Sequence, residues 1–148
     1  DISRYRLDFA AKMGADLALH ATDDHVVDQI MGATDDEGVD VLLEMSGAPS
    51  AIDQGFTVLK PGGEAMLLGV APGAFNFDWN HHLVFKAAKV QGISGRRLWQ
   101  TWYQSRGLIR SGAVDLSPMV THHYTFEQFE DAFAQMASGD SGKVMLTP

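Results

Sequence analysis

Apolar residues recur along this chain with two different periods, and the switching between them predicts alternating helices and strands. Tyr5, Leu7, Phe9, Ala10 and Met13 give one apolar helical face after Asp1-Ile2-Ser3, and Gly14 stops that helix. The short apolar run from Ala15 to His20 predicts a strand. Thr22, Asp23 and Asp24 are placed to cap a second helix that buries Val26, Val27, Ile30 and Met31. Val39-Asp40-Val41-Leu42-Leu43-Glu44-Met45 is nearly continuous in apolar residues, the pattern of a strand covered on both faces in a parallel sheet. Ser46-Gly47-Ala48-Pro49 breaks it. There follow a helix from about Ser50 to Leu59, a turn at Lys60-Pro61-Gly62-Gly63 and a second buried strand from Glu64 to Val70. Beyond a loop at Ala71 to Ala74, a mixed segment from Trp79 to Ala87 leads to a strand at Lys89 to Ile93. A helix from Arg97 to Ser111 is ended by Gly112. The last third predicts an extended stretch near Met119 to Tyr124, a helix from about Thr125 to Ala137 opening on a Thr125/Gln128 capping box, and a terminal strand from Gly142 to Thr147.

Repeated strand-helix-strand units imply an α/β fold with a doubly wound parallel sheet, because right-handed crossovers place helices on both faces. Ligands of such sheets bind at the carboxyl ends of the strands. Four places therefore merit a search for chemistry: Asp1, Ser46-Gly47, Leu68-Gly69 and Ile93-Ser94.

Composition narrows the partners. The 148 residues, 45% hydrophobic and 20% charged, are those of an ordinary globular protein. A net charge of -8, with the acids dispersed, argues against nucleic acid and anionic membrane as partners, since phosphate recognition needs clustered Lys or Arg. Without cysteine there is no disulfide and no cysteine-ligated zinc within the chain. No apolar run approaches the roughly 20 residues that span a bilayer, and no signal-peptide pattern opens the sequence, so a cytoplasmic protein is expected.

His81-His82 and His122-His123 invite a metal reading, but adjacent residues of a strand point to opposite faces and rarely serve one ion. Solvated or singly bonded histidines are expected. Trp99, Trp102 and Tyr103 on a helix are expected to cover the sheet or a subunit contact, and Asp23-Asp24 and Asp35-Asp36 read as caps and loop charges. No nucleophile-base-acid set is present in the sequence, so no catalytic residue and no metal ligand is assigned to this chain.

Several short strings occur in a fixed order: Asp1 before a helix containing Arg6, then Met13-Gly14-Ala15-Asp16, Glu44-Met45-Ser46-Gly47-Ala48-Pro49, Gly95-Arg96 ahead of Thr101-Trp102-Tyr103, and Ser141-Gly142-Lys143-Val144. Together they resemble the zinc-type medium-chain dehydrogenases, and within them the threonine dehydrogenases, from the first residue to the last. The resemblance implies an incomplete Rossmann-type sheet over residues 1–113. Residues 114–148 would return to the catalytic domain. It further implies that the first strand, its Gly-rich turn and the zinc ligands lie ahead of Asp1, so the fragment alone is expected to be inactive and to self-associate through unpaired strand edges.

Roles follow from the same resemblance. Asp1 would accept hydrogen bonds from the adenosine ribose and select NAD, and Arg6 would flank that ribose. Arg4 stands where an acidic or polar residue is expected, and a nearby arginine could tolerate a phosphate. Ser46 and Gly47 would let the cofactor pass closely, Leu68, Gly69, Ile93 and Ser94 would approach the nicotinamide end, and Arg96 would pair with the pyrophosphate. The implied parent is a homo-oligomer, a tetramer in the family, that uses NAD and zinc to oxidise the small molecule L-threonine. A polyol or secondary-alcohol dehydrogenase, and a non-catalytic assembly or regulatory module, are the alternatives.

Overall fold

Local sequence decides where most elements begin and end. In chain order they are α1 (Arg4–Lys12), α2 (Val26–Ala33), β1 (Val39–Glu44), α3 (Pro49–Val58), β2 (Leu59–Leu67), β3 (Lys89–Gly92), α4 (Gln100–Arg110), β4 (Val120–Thr125), α5 (Phe129–Ser138) and β5 (Lys143–Thr147). The computed structural model describes all residues from Asp1 to Pro148. The Ser3 hydroxyl accepts from the Arg6 N–H at 3.4 Å at the start of α1. Pro49 occupies the first turn of α3, where its missing N–H removes no intrahelical bond. The Thr125/Gln128 capping box forms, with Gln128 Oε1 accepting from the Thr125 N–H at 3.0 Å, and opens on a short 3-10 turn before α5.

The chain divides into two compact units. One is the continuous stretch Ala21–Arg96; the other joins Asp1–His20 to Arg97–Pro148.

In the continuous unit, β1, β2 and β3 form a parallel sheet in that order. Its register pairs Glu44 with Leu67 and Leu67 with Gly92, so the three strands end level. β2 begins earlier than the sequence predicts and runs through Lys60–Gly63, which a register shift between Val39 and Val41 accommodates. The core lies between the sheet and α3: Phe56, Leu59 and Ala65 are buried, with Leu42, Ile52, Phe77 and Leu83 against them. Burying a side chain of the size of Phe56 or Leu59 contributes about 1.5–3 kcal/mol. Phe77 meets Phe56 edge-on at 5.1 Å. Lys86 closes this unit from below, its ammonium donating to the carbonyls of Phe56, Thr57 and Leu59 at 2.7, 2.7 and 2.6 Å. The expectation that β1 is covered on both faces is not met, because α3 packs on one side only and Val41 and Leu43 remain 51% and 60% exposed.

The second unit holds α1, α4, α5 and a parallel pair, β4 and β5, whose register sets Tyr124 beside Leu146. α5 makes the crossover between these two strands. The predicted strand at Ala15 to His20 does not form; the segment is turn and irregular chain, outside both sheets, and an extended segment becomes a strand only where a neighbour completes its ladder. α4 starts three residues later than the pattern predicts. Trp99 has φ 68°, a left-handed conformation that cannot continue a right-handed helix. No helix of either unit is long and apolar enough to cross a membrane.

Candidate functional site

Because β1, β2 and β3 end level, the turns that follow them gather along one edge of the sheet, and these turns contain Ser46-Gly47, Leu68-Gly69 and Ile93-Ser94. The Ile93 N–H donates to the Leu67 carbonyl at 2.8 Å, extending the ladder by one residue beyond β3. Likewise the N–H groups of Leu68 and Gly69 both donate to the Glu44 carbonyl, at 2.9 and 3.1 Å. The backbone thus ties all three predicted pairs into one array.

Glu44 holds the centre of this array. The side chain is buried, and its Oε1 accepts three hydrogen bonds: from the Ser46 N–H at 2.9 Å, the Ser46 hydroxyl at 2.6 Å and the Gly47 N–H at 2.8 Å. Burial alone would raise its pKa. The Ser46 hydroxyl and the amides of Gly47 and Ser46 outweigh that, and the carboxyl is held below its ordinary range. Gly47 has φ 70°, and a side chain there would run into the backbone of Val70. A side chain at Gly69 would overlap Gly47 and the Glu44 carboxylate. Two glycines and one buried anion therefore fit together only as a set. Sequence reasoning placed Glu44 on a strand and assigned it nothing; an acid closing an otherwise apolar run, directly before Ser-Gly, was the available signal.

An apolar groove of about 520 Å³ opens beside this array, lined by Ile52, Phe56, Leu67, Phe77 and Leu83 among others, and Glu44 is the one charged residue on its wall. Arg96 is exposed at the end of the same unit, after Gly95 at φ 66°.

Asp1 and Arg6 belong to the other unit. Arg6 Nη1 stands 3.8 Å from Asp1 Oδ2, so these two form a pair, while Asp1 Oδ1 accepts from the Ser3 N–H at 2.9 Å. The Arg6 side chain is 57% exposed and that of Asp1 38%. Arg4 lies on the first turn of α1 and is intermediate or exposed like its neighbours.

His81, His82 and His122 each meet one side-chain partner. His81 and His82 lie on a π-helical turn, Asn80–Val84, rather than a strand. His81 Nδ1 meets Asp78 Oδ2 at 2.6 Å, and His82, buried against Phe56 and Phe77, meets Asp53 Oδ1 through Nε2 at 3.0 Å. On β4, His122 Nδ1 contacts the Thr121 hydroxyl at 2.8 Å and the ring stacks on Tyr124. No three His, Asp or Glu residues are disposed to share a metal ion.

Chemically, the array offers close approach to backbone and small side chains and a fixed buried negative charge held by the Ser46 hydroxyl and two amides. It can hold and orient a ligand laid across strand ends. The sequence profile of the zinc-binding dehydrogenases matches residues 1–111. The L-threonine 3-dehydrogenase of Pyrococcus abyssi is 44% identical over 145 residues, covering 97% of this chain and 42% of that protein. That of Vibrio parahaemolyticus is 42% identical over 146 residues, covering 99% of this chain and 42% of the relative. The chain thus spans about 42% of the length of these relatives. Among solved structures, an alcohol dehydrogenase from Thermotoga maritima is similar with a TM-score of 0.84 at 30% identity, over 99% of this chain and 41% of its own. The 2R,3R-butanediol dehydrogenase of Bacillus subtilis shares the fold with a TM-score of 0.87 at 23% identity, over 100% of this chain and 42% of its own.

Proposed function

The chain belongs to the zinc-binding dehydrogenase family, and we propose that it is the cofactor-binding part of an NAD-dependent L-threonine 3-dehydrogenase. The observation that carries this reading is the level ending of β1, β2 and β3, which lines up Ser46-Gly47, Leu68-Gly69 and Ile93-Ser94 along one edge of a parallel sheet. Dinucleotides lie across such an edge in sheets of this kind. The identity of 44% to an L-threonine 3-dehydrogenase supports the choice of substrate.

The residues present fit a dinucleotide. The glycines keep the strand ends low, and the backbone of Leu68, Gly69, Ile93 and Ser94 would orient the nicotinamide. Arg96 would pair with the pyrophosphate. Asp1 would bond the ribose hydroxyls and oppose a 2'-phosphate, with Arg6 beside it. NAD supplies the hydride acceptor for oxidation of the threonine 3-hydroxyl to 2-amino-3-oxobutanoate. Residues 1–113 form the cofactor domain in this reading, and residues 114–148 return to a catalytic domain that contributes the zinc. In this reading the catalytic domain and the turn that holds the pyrophosphate lie outside these residues, so the purified 148-residue chain is expected to show no turnover of threonine with NAD and zinc added. The whole enzyme in this reading is a cytoplasmic homo-oligomer, and the 148-residue chain alone is expected to self-associate, which sedimentation at several concentrations checks.

The test of the reading is cofactor choice. In the intact enzyme, Asp1→Ser should lower the preference for NAD over NADP more than it changes the maximal rate, because the lost bonds are to a remote ribose. An unchanged preference would remove Asp1 from the site, and faster turnover of sorbitol than of threonine would change the substrate.

A further inference from the structure

Glu44 has a burial and a bonding pattern that an ordinary strand end does not need. A strand can close on any residue, yet here a carboxylate is buried and ionised, and all three donors to its Oε1 come from the two residues of the next turn. Its other oxygen lies against Gly69, on the neighbouring strand end. The Glu44 carbonyl meanwhile holds the N–H groups of Leu68 and Gly69. One residue therefore fixes two of the three turns that form the array, its side chain setting one and its backbone the other.

We propose that Glu44 is a positioning residue for the cofactor: its carboxylate orients the Ser46-Gly47 turn against Gly69 and thereby sets the clearance above the strand ends. This rests on the dinucleotide reading of the array. A second consequence follows from charge. The Ser46 and Gly47 amides are already taken by the Glu44 carboxylate, so these two donors are not open to a phosphate.

Glu44→Gln tests the inference, because it keeps the shape and one acceptor oxygen while removing the charge that strengthens all three bonds. In the intact enzyme, calorimetric titration with NAD should give a Kd raised about tenfold, which is about 1.4 kcal/mol. The KM for NAD should rise with it, with kcat and the KM for threonine within about twofold, and Glu44→Asp should recover part of the affinity. Equal NAD affinity in wild type and Glu44→Gln overturns the proposal, as does a loss of kcat with NAD affinity intact. If Glu44→Gln does not fold, Ser46→Ala decides in the same titration. It deletes one donor from the exposed side of the turn, and weaker NAD binding supports the proposal while unchanged binding refutes it. A wild-type enzyme that fails to bind NAD would sink the dinucleotide reading itself, a result distinguishable from either variant outcome.

Discussion

Replacing Lys86 by methionine should destabilise the continuous unit by about 2–3 kcal/mol, and the reason can be built atom by atom. The ammonium has three protons and donates to three carbonyls: Phe56, Thr57 and Leu59, at 2.6 to 2.7 Å. Two of these belong to the last turn of α3, where helical carbonyls have no intrahelical donor and a cation is favoured. A hydrogen bond to a charged group contributes roughly 1.5–3 kcal/mol net, so three taken additively give more than twice the stated loss. Two effects reduce it. The Thr57 carbonyl bond is exposed, so water replaces it, and partial burial of the ammonium already opposes its charge, which pushes the Lys86 pKa down. Methionine keeps the stem and its packing, so the difference isolates the head group. Urea unfolding followed by circular dichroism should show a lower midpoint with an unchanged slope. A loss below about 1 kcal/mol would mean that the three carbonyls find equivalent partners in water, and that Lys86 does not lock α3.

Gly69→Ala should destabilise by about 3 kcal/mol or more, read by thermal unfolding, because the new methyl group meets backbone and the Glu44 carboxylate rather than flexible side-chain ends. His82→Ala should remove about 2–4 kcal/mol by leaving a cavity against Phe56 and Phe77, whereas Asp53→Asn should change stability by less than about 1 kcal/mol since Asp53 is largely exposed; a double-mutant cycle in urea separates the two. The pH dependence has a definite sign. Glu44 is held below its ordinary value of 4.5, so the stability it contributes is present above that pH and is lost as pH falls through the lower folded value. Asp78, Asp115 and Glu127 shift in the same direction, so the test is a difference: stability should fall less steeply below that pH in Glu44→Gln than in wild type.

Periodicity located the elements that carry their own instructions. β1 forms within the apolar run at Val39 to Met45, α3 starts at Pro49, one residue ahead of the Ser50 that the sequence predicts, and the capping box at Thr125 and Gln128 is where the sequence puts it. Ala15 to His20 has the composition of a strand and is not one, because a strand is a relation between two segments and composition describes only one. Lys60 to Gly63 shows the converse: a turn by its residues, it is carried within β2 as an irregularity between the pairs Val39–Leu59 and Val41–Glu64. The same limit applies to the candidate site. Ser46-Gly47, Leu68-Gly69 and Ile93-Ser94 could each be marked as strand ends, but only the register shows that they end level. For Glu44 the sequence offers only an acid that closes an apolar run before Ser-Gly, whereas its importance lies in hydrogen bonds among three residues, which no period records.

The division of the chain has a consequence for how it is made. One unit is assembled from the first 20 residues and everything after Arg96, with residues 21–96 between them. Closing a loop of that length lowers chain entropy by on the order of 4 kcal/mol, before any contact offsets it. A ribosome delivers α1 before residues 21–96 and its partners after them. The inner unit can therefore complete itself while α1 waits, uncommitted, for residues 97–148 to emerge. Nascent chains stopped just after Arg96 should protect the inner unit from protease and leave residues 1–20 open to cleavage, and emergence of residues 97–148 should slow that cleavage.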